Sequence, residues 1–350
     1  MLSVTPGMGA PLQSTIIEMR DVRRSFRSVK KREGLKGALG LLLKPEYQSH
    51  EALKGINLKI QPGEFVGLIG ENGAGKTTML KILSGLIPSS SGQARVLGYD
   101  PFKRNTEFRK KIALVMGQKA QLWWDLPAID AFDLLRAIYE IPTPLYKERL
   151  HALTELLEVG RHLNTQIRRL SLGERMKMEL IGAILHWPSV IFLDEPTIGL
   201  DVLAAHKLRE FLREFNHREK ATIILTSHNM EDITRLCTRV LLLRSGELVY
   251  DGRPGGLTRE GERRLRVRLL ENPTIGELAD ATGLPQASIE KENNADEDEK
   301  DGKQAILITV KHEQIVPALQ ALLNRYQIVD MGIQEQSLEK VIQRLFEAGK

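Results

Sequence analysis

A run of small and hydroxyl-bearing residues around one lysine carries the clearest chemistry in the chain. Gly70, Glu71, Asn72, Gly73, Ala74, Gly75, Lys76, Thr77 and Thr78 set a glycine, four free positions and then Gly-Lys-Thr, the spacing of a phosphate-binding loop. Phe65 to Ile69 before it reads as a short buried strand, and Met79 to Leu83 after it as the start of a helix. A strand that turns through glycines into a helix N-terminus aims several backbone N–H groups at one point, where the helix dipole also favours an anion. In such a loop the lysine reaches the β- and γ-phosphates of a nucleotide, and the first threonine ligates Mg²⁺.

Four more residues fit that chemistry. Val190-Ile191-Phe192-Leu193 is an apolar run ending in Asp194 and Glu195, as a parallel strand buried on both faces would read. Asp194 suits Mg²⁺. Glu195 would point the other way along a strand, where it can take a proton from an attacking water. His228 follows Thr226 and Ser227 at the end of another apolar run and can hydrogen-bond a γ-phosphate. Gln118 ends the strand Ile112 to Met116 through Gly117 and can contact both the metal and the water. Strand ends of this kind converge on the carboxyl edge where α/β sheets bind ligands.

The remaining elements position these groups. Residues 1–14 read as a flexible tail and Ile16 to Arg24 as a strand. Arg27 to Tyr47 reads as an insert, basic at first and apolar later, with room for one or two amphipathic turns. Leu53 to Ile60 and Ala94 to Leu97 read as strands. From Asp130 to about Trp187 the pattern is helical, with Leu150, Leu153, Leu156 and Leu157 assigned to one face. This block, within about 119–187, interrupts an alternating strand–helix order and predicts a helical subdomain inserted in an α/β core. Val202 to Arg218 reads as a helix, Ala221 to Thr226 as a strand, and Val240 to Tyr250 as a closing hairpin around Arg244-Ser245-Gly246.

Arg253-Pro254-Gly255-Gly256 marks a boundary. Beyond it, 262–350 predicts a small α+β domain, ferredoxin-like among its options. Its order would be strands at Leu265–Leu269 and Ala305–Val310, a helix at about Gln314–Arg325, a strand near Ile328–Ile333 and a final helix striped by Leu338, Val341, Ile342, Leu345 and Phe346. Glu290 to Asp301 carries seven acidic residues against two lysines without the alternation of a Ca²⁺ loop, and reads as a solvated loop.

At 350 residues the chain has the length of about two domains. No apolar run approaches the roughly 18–20 residues of a membrane span. The single cysteine, Cys237, excludes an internal disulfide and suits a reducing compartment. Residues 1–50 hold nine Lys or Arg against four Asp or Glu, which accounts for the whole net charge of +5. The rest is balanced, so a body-wide nucleic-acid footprint is not expected. The basic cluster of Arg20, Arg23, Arg24, Arg27, Lys30, Lys31 and Arg32 reads equally as a lipid-facing patch or a solvated loop.

Leu170-Ser171-Leu172-Gly173-Glu174 completes a pattern. With it, the chain resembles the ATP-binding cassette (ABC) ATPases over roughly residues 15–255. In family order come Walker A (Gly70 to Thr78), the Q-loop glutamine (Gln118), the signature, Walker B (Val190 to Glu195), the D-loop (Gly199-Leu200-Asp201) and the switch histidine (His228). The resemblance implies a P-loop fold, ATP and Mg²⁺ as ligands, and ATP hydrolysis. It implies a head-to-tail dimer in which each ATP lies between one Walker A loop and Ser171 and Gly173 of the other subunit, with Glu174 and Asp201 beside it. The family's signature is Leu-Ser-Gly-Gly-Gln, so Leu172 and Glu174 are departures, a lost flexible glycine and an added charge near phosphate. Adenine stacks upstream of Walker A in this family. Tyr47, eight residues before Gly55, has the spacing, and Phe26 is the alternative.

The stretch Lys119 to Pro127, with Trp123 and Trp124, is similar to a subgroup of bacterial ATPases of export-type permeases that share the Leu-Ser-Leu-Gly signature. In the family this region receives a permease helix, so the two tryptophans are either that contact or subdomain core. The insert before Tyr47 is similar, in position only, to one in polysaccharide-exporter ATPases. The resemblance therefore implies a cytoplasmic-face ATPase paired with a membrane permease and a second ATPase subunit. A ribosome- or DNA-acting ABC protein and a degenerate binding-only partner are the competing classes. The single cassette, the lack of a coiled-coil split and the presence of Glu195 and His228 count against them.

Overall fold

The computed structural model describes residues 15–29, 47–117, 121–257, 262–291, 305–335 and 341–342. It divides into two compact units, 1–252 and 253–350.

The first unit is built on two sheets. One is antiparallel, in the order β2-β1-β4, from β1 (Ile17–Val29), β2 (Tyr47–Ile60) and β4 (Ser91–Val96). The other has six strands in the order β5-β6-β7-β3-β8-β9. Its members are β3 (Phe65–Gly70), β5 (Ile112–Met116), β6 (Val190–Asp194), β7 (Thr222–Thr226), β8 (Arg239–Arg244) and β9 (Glu247–Gly252). The first five strands in that order run parallel and β9 turns back antiparallel on β8. The continuous apolar runs of β3, β6 and β7 fill the middle of the sheet, which is why they are buried on both faces. Helix α1 (Lys76–Leu83) packs between the sheets, with Met79, Leu80 and Leu83 in a shared core with Ile17, Leu53, Val66 and Phe192.

The helical block comprises α2 (Ala128–Ile138), α3 (Thr143–Leu156) and α4 (Leu172–Ile184). On α3 and just past it, Leu150, Leu153 and Leu157 are buried but Leu156 is 44% exposed. Spacings of three and four keep the first three on one face, whereas the hundred-degree step per residue carries Leu156 off the stripe. Helices α5 (Val202–Glu219) and α6 (Met230–Leu236) flank β7 in sequence.

The basic stretch after Arg24 is not loop at its margins. β1 runs on to Val29, paired with Tyr47 at the start of β2, so the two strands absorb both ends of the expected insert. Its remainder, residues 30–46, and the tail 1–14 lie outside the described residues.

The second unit has the order β10 (Glu262–Leu269), α7 (Ile275–Thr282), β11 (Ile289–Lys291), β12 (Ile306–Lys311), α8 (Ile315–Arg325), β13 (Ile328–Glu335). Its antiparallel sheet runs β11-β12-β10-β13. That is the βαββαβ arrangement of a ferredoxin-like unit. Helix α7 and strand β11 are absent from the reading of the sequence. The helix is only eight residues long, too short for periodicity to declare it, but Thr274 and Glu277 form a capping box that marks its start. The acidic loop beyond Lys291 and most of the final helix lie outside the described residues.

Candidate nucleotide site

At the carboxyl ends of β3, β6 and β7 the structure gathers Lys76, Thr77, Asp194, Thr226, Glu195 and His228. The turn after β3 enters α1 at Gly75, with φ 108° and a backbone so close to β2 that a Cβ would fall 2.5 Å from the Ala52 carbonyl oxygen. Only glycine fits both demands. Lys76 is 7% exposed, and its ammonium folds back over the loop, donating to the Gly70 carbonyl at 2.6 Å and to that of Glu71 at 3.1 Å. Burial lowers its pKa from the ordinary lysine value, and the nearby Glu195 and Asp194 carboxylates oppose that shift. The ammonium thus stands inside the loop as a desolvated charge whose hydrogen bonds, among the described residues, go to carbonyl dipoles, a state an anionic phosphate would relieve.

Asp194 closes the other side. Its carboxylate accepts from the Thr77 hydroxyl at 3.0 Å and from the Thr226 hydroxyl at 2.6 Å. Thr226 in turn accepts from the Glu195 N–H at 3.1 Å. One carboxylate and two hydroxyls form a hard-oxygen set that suits Mg²⁺, which takes few protein ligands and completes its shell with water and phosphate. Among the described residues no cluster of three or more His, Cys, Asp or Glu makes an all-protein metal cage.

Glu195 is turned by its backbone, not by strand alternation. It lies one residue past β6 in the left-handed region, with φ 55°. A glutamate there is uncommon and costs on the order of 1 kcal/mol or more. Its N–H is held by the Thr226 carbonyl at 3.0 Å as well as by the hydroxyl. Its carboxylate meets His228 Nε2 at 3.0 Å. Gly117 presses on this turn, since a Cβ there would fall 2.2 Å from the Glu195 carbonyl oxygen. That glycine leads directly into Gln118, which lies outside the described residues.

Gly70 ends β3, and Asn72, Gly73 and Ala74 complete the loop, with the Ala74 N–H donating to the Glu71 carbonyl. Thr78 lies within α1. Tyr47 begins β2, but its side chain lies outside the described residues. The Phe26 ring is 38% exposed and lies under the Arg24 guanidinium at 4.6 Å.

The signature residues are held largely within their own turn. Ser171 caps α4, with Gly173 in its first turn. Glu174 accepts from both the Ser171 N–H, at 3.0 Å, and the Ser171 hydroxyl, at 2.8 Å. These bonds, the backbone one first, hold the Glu174 carboxyl below its usual pKa. His162 Nε2 lies 2.9 Å from the other Glu174 oxygen. Asp201 is the N-cap of α5 and accepts from the Ala204 N–H at 2.8 Å.

Two contributors were not legible as site residues. Glu179 on α4, 6% exposed, accepts the backbone N–H groups of Gln121 and Leu122 and so anchors the segment that follows Gln118. Burial raises its pKa against those two hydrogen bonds. Asp232, fully buried, collects hydroxyls from two loops of the site. Both sit on amphipathic helices, where an acid reads as a solvated residue unless the neighbouring elements are known.

The fold and this loop-and-strand-end cluster define a P-loop nucleotide-hydrolysing enzyme. The family model described as ABC transporter matches residues 53–198. The ATP-binding protein NatA of Bacillus subtilis is 34% identical over 202 residues, spanning 58% of this chain and 82% of NatA. The linearmycin resistance ATP-binding protein LnrL of the same organism is 28% identical, over 87% of this chain and 96% of LnrL. The solved structure of an ATP-binding subunit of an ABC transporter is 26% identical with a TM-score of 0.59, over 70% of this chain and 93% of that one. A dimeric cassette bound to ADP and phosphate shares the fold at 24% identity and a TM-score of 0.57, over 68% of this chain and 98% of that one. The chain belongs to the ABC transporter family, as an ATPase subunit that uses ATP with Mg²⁺. Among the described residues no helix is long and apolar enough to cross a membrane.

Proposed function

We propose that the chain drives an export-type membrane permease from the cytoplasmic face, working as a head-to-tail dimer with two ATP at the interface. The observation that carries this reading is the division of labour in the cassette. One cluster is wired together within the chain, while the signature turn is formed, capped and outward-facing.

In this reading the loop from Gly70 to Thr78 cradles the phosphates through backbone N–H groups, and Lys76 leaves its carbonyl partners for the β- and γ-phosphates. Thr77 and Asp194 would hold Mg²⁺, with Gln118 as the further ligand that the family resemblance implies. Bound Mg²⁺ neutralises phosphate charge and orients the triphosphate. A water attacks the γ-phosphorus as the bond to the ADP oxygen breaks, and Glu195 accepts the proton that water loses. His228, now on Glu195, is placed to turn to the γ-phosphate. Ser171, Gly173, Glu174 and Asp201 serve the partner's nucleotide. Tyr47 supplies the adenine platform. The second unit regulates the cassette, stabilises its dimer or senses the substrate.

Glu195→Gln tests the site. Turnover should fall about 100-fold or more, the scale of a lost general base, and gel filtration in ATP should show a stable dimer. Turnover at the wild-type rate would overturn the role of Glu195.

The tryptophans support the permease contact. Trp123 and Trp124 are 42% and 50% exposed, with the Arg175 guanidinium 5.3 Å from the Trp124 ring. Exposed aromatics beside an arginine are the composition of an interface anchor. Changing both to alanine should abolish co-purification with the permease while leaving ATP binding by the chain alone intact. Unchanged co-purification would sink the contact.

A further inference from the structure

We infer that Asp232 is a positioning residue that ties the turn carrying Glu195 to the turn carrying His228, so that the two side chains act as one unit. The inference rests on the roles proposed above for Glu195 and His228.

The sheet alone cannot fix these two turns. The β6–β7 ladder ends at the pair Asp194 and Thr226. Glu195 lies one residue beyond it and His228 two residues beyond. Past that point the hydrogen bonds joining the turns, among the described residues, are those of the Glu195 N–H to Thr226, the Glu195–His228 pair itself, and one buried junction.

That junction is Asp232 on α6. One carboxylate oxygen accepts the Thr197 hydroxyl and the Ser227 hydroxyl, each at 2.6 Å. The other accepts Arg209 Nε, from α5, also at 2.6 Å. Thr197 is two residues after Glu195, and Ser227 is the residue before His228. Asp232 is wholly buried, and Arg209 and Ser227 are 5% and 3% exposed. Arg209 also reaches Glu231 at 3.0 Å. The Ser227 hydroxyl accepts the Asn229 N–H at 3.0 Å, which sets the shape of the turn as His228 leaves it.

A buried carboxylate is retained only when its charge is paired and its lone pairs are used. A buried ion pair adds little net stability over apolar packing, and one use it can serve is to specify geometry. Here the specified geometry is the separation of two loops on which a proton acceptor and a phosphate contact sit. Displacing either by about 1 Å costs on the order of 100-fold in rate when both must meet the reacting atoms.

The hydroxyls allow a test that leaves the Arg209–Asp232 pair in place. Thr197→Val and Ser227→Ala, in the full chain, should each lower kcat for ATP about tenfold with KM within about twofold. The double variant should be no slower than the slower single one, because both act through the same carboxylate. Thr197→Ser, which keeps the hydroxyl, should restore kcat. Hydrogen exchange measured without nucleotide gives a readout independent of turnover. Thr197→Val should raise exchange in the turn at 227–229, and Ser227→Ala in the turn at 195–198, with the melting temperature lowered by only a few degrees. Exchange confined to the mutated turn, multiplicative losses in kcat, or KM rising in step with falling kcat would overturn the tether. Wild-type turnover in Glu195→Gln would instead overturn the catalytic assignment, and the exchange data would still decide whether the two turns are coupled.

Discussion

The nucleotide cluster and the signature turn are built from the same parts, a helix N-terminus, a hydroxyl and a carboxylate, yet they are wired in opposite ways. At Thr77 the hydroxyl meets a carboxylate 117 positions later in the chain, brought there by parallel pairing of β6 and β7 beside β3. At Ser171 the hydroxyl meets a carboxylate three residues on. The first arrangement exists only when the whole sheet is assembled. The second needs one turn of helix. A site that depends on long-range closure can be held ready within one chain, whereas a self-capped turn can be exposed without losing its shape and is suited to completing a site elsewhere. The departures from the family signature fit this contrast. Glu174 spends its charge on its own helix, and the Leu172 side chain lies against Gly199 of the D-loop, so close that a Cβ there would fall 2.5 Å from Leu172 Cδ2.

The sharpest way to break the comparison is to remove one element from each side. Lys76→Ala should weaken ATP binding by the isolated chain about 100-fold, since a charge-assisted contact to phosphate in a partly dry loop is lost. Ser171→Ala should leave that binding unchanged, measured by titration at low protein concentration, yet prevent the ATP-dependent dimer seen by gel filtration. Equal losses of monomer affinity in both variants would show that the two regions form one site in one chain. A smaller effect is expected at Glu174. Glutamine keeps the acceptor for the Ser171 N–H and removes the charge, so Glu174→Gln should cost less than about 1 kcal/mol of stability, the scale of a cap. It should tighten ATP-dependent dimerisation severalfold, because the proposed interface sets this carboxylate beside the partner's phosphate. Weaker dimerisation would make the cap itself the binding element.

The two regions also differ in how far they could be read from sequence. The loop around Lys76 was legible because its chemistry and its local structure are one signal, glycines and a lysine at fixed spacing between a strand and a helix. Asp194 was legible because a fully buried parallel strand ends there. The orientation of Glu195 was not, because it comes from a left-handed residue held by Thr226 and pressed by Gly117, three contributions from three strand ends. Asp232 and Glu179 were invisible for the same reason, as nothing local distinguishes a buried acid on an amphipathic helix from an exposed one. Leu156 shows the limit of reading a stripe from leucine content without its angular step. In the second unit, α7 and β11 are too short for periodicity, and β11 has only three residues to pair with β12.

The least of these effects concerns how the signature-bearing helix is fastened to the sheet. His186 follows α4, stacks on Tyr139 with centroids 3.9 Å apart, and its Nε2 lies 3.0 Å from the Ile112 carbonyl of β5. A carbonyl only accepts, so the neutral ring carries its proton on Nε2. Burial lowers the pKa of this histidine to about 4, with the Ile112 bond opposing and Arg149 adding to the shift. The unfolded chain takes up the proton near the ordinary value of 6.5, and the folded chain does not until about 4. Stability present above pH 6.5 is therefore lost as the pH falls through that window, by on the order of 1–2 kcal/mol at pH 5. His186→Phe keeps the ring stack and removes the titration, so its stability should fall less between pH 7 and pH 5 than the wild type's, in denaturant unfolding followed at both values. Hydrogen exchange at pH 5 should rise first in α4, with the Thr77–Asp194 cluster still protected. Equal acid sensitivity in both proteins would remove His186 as the weak point and leave the two regions fastened alike.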